Sequence, residues 1–257
     1  MRRFRLAVLG GTFDHLHVGH QALLATAFRS GDEVAIGVTT DRYLGNHPKP
    51  TPVRLQSYAV RRRTLVRWLR IHYPRRKWRV TPLDDPFGGS LQPRVGVLVV
   101  SAETERGGRA VNRERRRLGR IPVPIVTVPL VLADDLEPVS SRRIRSGEIG
   151  PDGRRRTPIR IAISTSHVRD REVAARAIAR IFPRARIASG PGPALRTPRS
   201  TSPRGTWDLA LRISRGTPSG WVAAEQTRTI RLRPRTISGS RPADLQRGLI
   251  ALLRPQQ

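Results

Sequence analysis

Five short apolar runs punctuate the first half of the chain: FRLAVLG (4–10), EVAIGVT (33–39), KWRVTPL (77–83), VGVLVVS (95–101) and VPIVTVP (123–129). They are β-branched and largely apolar on both faces, as strands buried inside a parallel sheet are. Helix-like stretches separate them. HVGHQALLATAFRS stops at Gly31, VRLQSYAVRRRTLVRWLRIHY brings Leu55, Ala59, Leu65, Trp68 and Leu69 near one face, and ERGGRAVNRERRRLGR is polar and ends at Gly119. Strand alternating with helix predicts an α/β domain, a Rossmann-like doubly wound five-stranded parallel sheet. A break follows at GPDGRRRTP (150–158), where Pro, Gly and an arginine triplet read as a linker. The pattern then restarts with a strand (159–165), a helix (170–182), a Pro/Gly/Ser-rich loop (190–205), strand-like runs WDLALRIS, GWVAAEQT and RTIRLRPRT, and a terminal helix ADLQRGLIALL. The expected organisation is one domain over 1–155 and a second, smaller α/β domain over 156–257.

The turn after the first strand concentrates chemistry. GGTFDHLHVGH (10–20) holds half of the six histidines in eleven residues. Such a turn lies at the carboxyl edge of a parallel sheet, where ligands bind, and the helix after it offers free N–H groups and a positive dipole end to a phosphate. Gly10 and Gly11 allow close backbone approach. His17 and His20, three apart on the first helical turn, face one side and point where a phosphate would sit. An ordinary surface or metal-binding histidine pair is the plainer alternative. Asp14 is expected to cap the helix or fix the loop rather than touch substrate.

Composition narrows the chemistry. With no cysteine, disulfides, thiolate metal sites and cysteine nucleophiles are excluded. The net charge is +30, and Lys49 and Lys77 are the only lysines, so 47 of the 49 basic residues are arginine. That balance suits anionic partners such as nucleotides, coenzymes or nucleic acid. Its plainer reading is arginine spread over a solvated surface, and Arg61–Arg63 and Arg115–Arg117 are expected to be solvated helix faces. The apolar run in MRRFRLAVLGG is too short for a signal peptide and lacks its cleavage site, and no stretch approaches the roughly 20 apolar residues of a membrane span. A soluble, cytoplasmic chain is expected, with no membrane partner.

GGTFDHLHVGH resembles the GGTFD-x-x-H-x-G-H signature of the nucleotidyltransferase superfamily, whose members transfer a nucleotide monophosphate from an NTP to an acceptor. PLDDPFGG (82–89), VLVVSAETERGGRAVNRERRRLG (97–119) and VSSRRIRSGEI (139–149) are similar to segments of the archaeal and eukaryotic phosphopantetheine adenylyltransferases. The resemblance spans about residues 4–150. It departs from the family at Ala102, where a Glu is usual, at Gln21, where Lys commonly follows GH, and at Arg142, where a third Ser is usual.

The resemblance implies attack by the phosphate of 4′-phosphopantetheine on the α-phosphorus of ATP, giving dephospho-coenzyme A and pyrophosphate, with Mg²⁺ accompanying ATP. The nucleophile is already an anion, so the work is positioning and charge neutralisation rather than general-base catalysis. By resemblance His20 donates to the α-phosphate and His17 contributes to the same phosphates. Thr12 and the backbone of Gly11 and Phe13 orient the acceptor phosphate and the nucleotide. Ser140 and Ser141 form a β/γ-phosphate cradle at a helix start, or simply an N-cap, with Arg145 one turn on. Lys49, in the loop after the second strand, reaches the acceptor phosphate or is merely solvated. Among Asp84, Asp85 and Glu103 the sequence does not choose. No protein metal site is expected. Rival readings are a nicotinamide mononucleotide adenylyltransferase, a cytidylyltransferase, or a non-catalytic nucleic-acid-binding protein; nucleic acid is the less favoured partner, and an oligomer stays open.

Residues 156–257 resemble the opening of the inosine/xanthosine triphosphatase family in their strand, Ser/Thr loop and helix ending at Phe182-Pro183. His167 and Arg169 stand near where that family has Asn and Lys, and its acidic metal-binding run is not found, so two readings of this basic α/β appendage stay open: a degenerate domain of that type, or a nucleic-acid-binding or dimerisation appendage.

Overall fold

A computed structural model describes residues 3–46, 55–165, 168–190, 209–216, 220–225, 235–238, 245–246 and 248–249. The chain forms two compact units, Met1–Val131 with Val139–Gly147, and Leu132–Pro138 with Glu148–Gln257.

The first unit is built on β1 (Phe4–Gly11), β2 (Gly31–Thr39), β3 (Lys77–Leu83), β4 (Val97–Ser101) and β5 (Ile125–Val128), all parallel in the order β3-β2-β1-β4-β5. These are the five runs expected from the sequence. The order reverses at β1, so the crevice between the carboxyl ends of β1 and β4 is the topological switch point where such sheets bind ligands.

Helices cover both faces. α1 (Val18–Ser30) buries Leu23, Leu24, Ala27 and Phe28, and α3 (Tyr58–His72) buries Leu65 and Leu69, against Ala7, Leu9, Val34, Ile36, Val38, Val97 and Val99. Alternate strand residues Leu6, Val8, Ala35 and Leu98 face the other way and meet Val111 of α4 (Glu105–Arg117). This two-sided burial is why the strands read as continuous apolar runs. Between β2 and α3 lies a six-residue helix, α2 (Asp41–Asn46), which buries nothing and left no periodicity to read.

Two expectations about helix faces are corrected. Ala59 is exposed on α3, and the buried stripe is Arg61, Leu65, Leu69, one residue per turn. Arg61 is wholly buried and Arg115 is 2 % exposed, so neither arginine triplet is uniformly solvated. Each of the two buried guanidinium groups finds acceptors, backbone carbonyls for both and the Asp41 carboxylate as well for Arg61, which is what makes its burial tolerable. Arg115 donates to the carbonyls of Ser90, Gln92 and Ile121.

The second unit has β6 (Arg160–Ser164), α6 (Val168–Ile181), β7 (Arg186–Gly190), β8 (Leu209–Gly216), β9 (Gly220–Glu225) and β10 (Arg235–Ser238). The five-residue helix α5 (Ser141–Arg145) belongs to the first unit. Strand order is β10-β9-β8-β6-β7, with β6 parallel to both β7 and β8 and the other two pairings antiparallel. Ile161, Ile163, Val173, Ala174, Ala177, Ile178, Phe182, Leu211, Ile213, Leu245 and Leu249 form its core. The last two belong to the described part of the expected terminal helix; most of the RTIRLRPRT run lies outside the described residues. Segment 132–138 joins this unit through the ion pair of buried Asp135 with Arg155. No described helix is long and apolar enough to cross a membrane.

Candidate active site

The turn between β1 and α1 is held in an uncommon backbone shape. Phe13 and His15 have φ of 52° and 46°, a left-handed region that non-glycine residues enter only when their surroundings impose it. Phe13 is fully buried and anchors the turn in the core. Polar contacts from distant segments do the rest. Asp14, 1 % exposed, accepts from the Gln56 N–H at 3.0 Å, while Gln56 Oε1 accepts from the His15 N–H at 2.9 Å. From α5, Ser141 Oγ donates to the Asp14 carbonyl at 2.6 Å and Arg145 forms an ion pair with the Asp14 carboxylate. Asp14 therefore fixes the loop, as expected.

The helix cap belongs to His17, not Asp14. The backbone of His17 is extended, and its Nδ1 accepts from the Gly19 N–H at 3.2 Å. An accepting Nδ1 leaves the proton of the neutral ring on Nε2. The glycine of H-x-G-H has a steric reason: a Cβ on Gly19 would stand 3.1 Å from the His17 ring. His20 stacks on His17 with ring centroids 3.9 Å apart, and Phe13 lies 5.2 Å from His20. Burial lowers the His17 pKa from 6.5 to about 4, against the pull of Asp14. Burial lowers that of His20 to about 3, and His17 beside it adds to the shift. Both imidazoles are neutral at pH 7. His20 Nδ1 is buried and has no hydrogen-bond partner among the described residues. The arrangement offers neutral N–H donors, at a helix N-terminus, to an anion.

Neutrality has a cost in acid. Unfolded histidines take up protons near pH 6.5, while these two do so only near 4 and 3. Stability is therefore fully present above pH 6.5 and is lost as pH falls towards the folded values, by on the order of 2 kcal/mol per group at pH 4.5. In urea titrations at pH 7 and 4.5, the wild type should lose more stability than His20→Gln. Equal losses would show that His20 is not held neutral by the fold.

Gly11 and Thr12 are half-buried in the turn. Ser140 caps α5, its side chain accepting from the Arg143 N–H at 3.4 Å, and the hydroxyl of Ser141 is occupied by the Asp14 carbonyl. Lys49 lies outside the described residues. Asp84 accepts from Thr40 Oγ1 at 2.6 Å and pairs with Arg42; the Thr40 hydrogen bond is the main cause of its lowered pKa. Asp85 turns its loop by accepting from the N–H groups of Phe87 and Gly88. Glu103, Ala102 and Arg142 are exposed. No group of three or more His, Asp or Glu side chains suited to a metal ion occurs among the described residues.

Sequence reasoning missed Gln56, Arg61 and Arg115. For Arg61 the signal was its spacing of four from Leu65 and eight from Leu69. It also missed a cavity of about 180 Å³ on the α4 side of the sheet, which runs from Gly10 and Gly37 to Leu83, Phe87, Val100 and Gly108. Gly10 and Gly37 are paired across β1 and β2, so two adjacent strands present no side chain there.

The cytidylyltransferase-like family profile matches residues 8–147, more than half of the chain. Over 153 residues, 59 % of this chain, it is 40 % identical to the phosphopantetheine adenylyltransferase of Methanothermobacter thermautotrophicus and covers 90 % of that protein. It is also 39 % and 41 % identical to the bifunctional phosphopantetheine adenylyltransferase/NTP phosphatases of Thermoplasma volcanium and Thermoplasma acidophilum, covering 63 % and 62 % of this chain. The chain spans about half the length of those two relatives, 48 % of each.

Proposed function

The chain belongs to the cytidylyltransferase-like family and is closely related to archaeal phosphopantetheine adenylyltransferases, and from that premise we propose that it transfers AMP from ATP to 4′-phosphopantetheine. A phosphate oxygen of the acceptor attacks the α-phosphorus, the bond from that phosphorus to the bridging oxygen breaks, and pyrophosphate leaves with the electron pair. Dephospho-coenzyme A is the other product. ATP enters with its Mg²⁺ as part of the substrate.

The observation that carries this reading is the stacked, neutral His17–His20 pair at the start of α1. Neutral N–H donors suit a reaction whose nucleophile is already ionised, because they stabilise charge on the transferring group without taking a proton from it. In this reading His20 and His17 donate to the α-phosphate. Gly11, Thr12 and the Phe13 N–H orient the acceptor phosphate, and Lys49 adds charge to it. Ser140, Ser141 and Arg145 border the β- and γ-phosphates, with Arg145 held beside the turn by Asp14. The mostly apolar cavity beneath Gly10 suits the long uncharged arm of phosphopantetheine.

We place this activity in residues 1–155 and treat residues 156–257 as a basic α/β appendage, either a degenerate domain of the inosine/xanthosine triphosphatase type or a nucleic-acid-binding or dimerisation module. The cut falls after Arg155 because buried Asp135 loses its ion pair if the chain ends sooner. Pyrophosphate release should be measured for the full chain and for residues 1–155, with ATP or CTP and with 4′-phosphopantetheine or nicotinamide mononucleotide. Turnover confined to ATP with 4′-phosphopantetheine, in both proteins, is the expected result. A preference for CTP or for the mononucleotide would overturn the acceptor assignment. An inactive truncation beside an active full chain would overturn the division at 155.

A further inference from the structure

Arg61 is an arginine with no access to solvent, on a helix whose neighbours in the stripe are Leu65 and Leu69. Burying a guanidinium is costly unless its N–H groups find acceptors. Here its bonds reach four separate segments. Nε donates to the Gln56 carbonyl at 2.8 Å, Nη1 to the carbonyls of Thr12 and Thr39 at 2.8 Å each, and Nη2 to Asp41 Oδ1 at 2.8 Å. The turn after β1, the end of β2, the start of α2 and the loop before α3 meet on one planar group.

The bond to Thr12 matters most. In a trans peptide the C=O and the next N–H lie in one plane and point in opposite directions. Holding the Thr12 carbonyl against a buried guanidinium therefore turns the Phe13 N–H away from Arg61. That N–H has no hydrogen-bond partner among the described residues, and Phe13 has a strained φ of 52° that something must maintain. We infer that Arg61 is a positioning residue: through the Thr12–Phe13 peptide it aims the Phe13 N–H at the acceptor phosphate. The inference rests on the proposed transfer reaction for the identity of that phosphate. A lysine cannot substitute, because one ammonium lacks the planar fork that reaches three carbonyls and a carboxylate.

The test compares Arg61→Lys and Arg61→Met with Arg76→Met. Arg76 also serves carbonyls, those of Phe28 and Gly31, but at the amino edge of the sheet. Melting temperature, kcat, KM for each substrate, and amide exchange of residues 11–15 without substrate are read for each protein. Arg61→Lys should lose kcat on the order of 10²-fold, as a misaligned reacting group does, with KM values little changed and faster exchange at 11–15. Arg76→Met should melt earlier with wild-type kcat. A folded Arg61→Lys with wild-type kcat and exchange overturns the inference, as does an equal kcat loss in Arg76→Met. If neither Arg61 variant folds, Asp41→Asn weakens the carboxylate partner of Arg61 at an exposed position. It should then give a smaller loss in the same direction, and wild-type behaviour there overturns the inference. Should the wild type itself fail to make dephospho-coenzyme A, the proposed reaction falls, while exchange at 11–15 still decides what Arg61 does.

Discussion

His20→Ala should lower kcat on the order of 10²–10³-fold while ATP binding weakens only modestly. A donor aimed at charge that develops during the reaction acts mainly in the transition state, so its loss appears in turnover more than in affinity. The folded environment keeps His20 neutral, with a pKa of about 3, and stacks it on His17, whose own proton is placed on Nε2 by the Gly19 N–H. His20→Gln keeps a neutral N–H donor on a side chain of similar reach and should fall between the wild type and alanine. Single-turnover pyrophosphate release measures the chemical step, and calorimetric titration of ATP measures binding. A His20→Ala turnover within tenfold of the wild type would remove His20 from the reaction, and an alanine variant that fails to bind ATP would make it a binding residue.

Much of the first unit was readable because its physics is local. A strand buried on both faces must be apolar at nearly every position, so the run KWRVTPL coincides with β3 and the other four fall within two residues of theirs at each end. The signature turn was readable for the same reason, since its glycines and histidines sit within eleven residues. What escaped was non-local. Arg61 is buried because carbonyls from positions 12, 39 and 56 converge on it, and that convergence exists only once β1 and β2 are paired. In a chain with 47 arginines, one more on a helix reads as surface. Gln56 leaves no pattern either: its side chain accepts from the His15 N–H and its backbone N–H donates to the Asp14 carboxylate, across about forty residues. The linker signature at 150–158 marked a change of composition, whereas the compact units part at Gly147 and share the chain again at 132–138.

Arg145 carries the second large effect, and it separates two roles that the sequence could not. As a phosphate contact alone, Arg145 would matter to turnover and leave the fold untouched. The structure gives its guanidinium to Asp14, which is 2 % exposed at the side chain and sits between Phe13 and His15 in the strained turn. Removing one partner of such a pair leaves the other charge buried without compensation, typically a loss of about 3–5 kcal/mol. Arg145→Met should therefore lower the urea-unfolding free energy by about that amount, and the loosened turn should lose activity as well. Asp14→Asn combined with Arg145→Met removes both charges, and the double variant should recover part of the loss, with a coupling on the order of 1–3 kcal/mol. The Ser141 hydroxyl on the Asp14 carbonyl survives both changes, so α5 stays tethered and the comparison isolates the ion pair. A stability loss below about 1 kcal/mol, the range of an exposed pair, would mean that Asp14 does not need Arg145, and its charge would then be assigned to substrate alone.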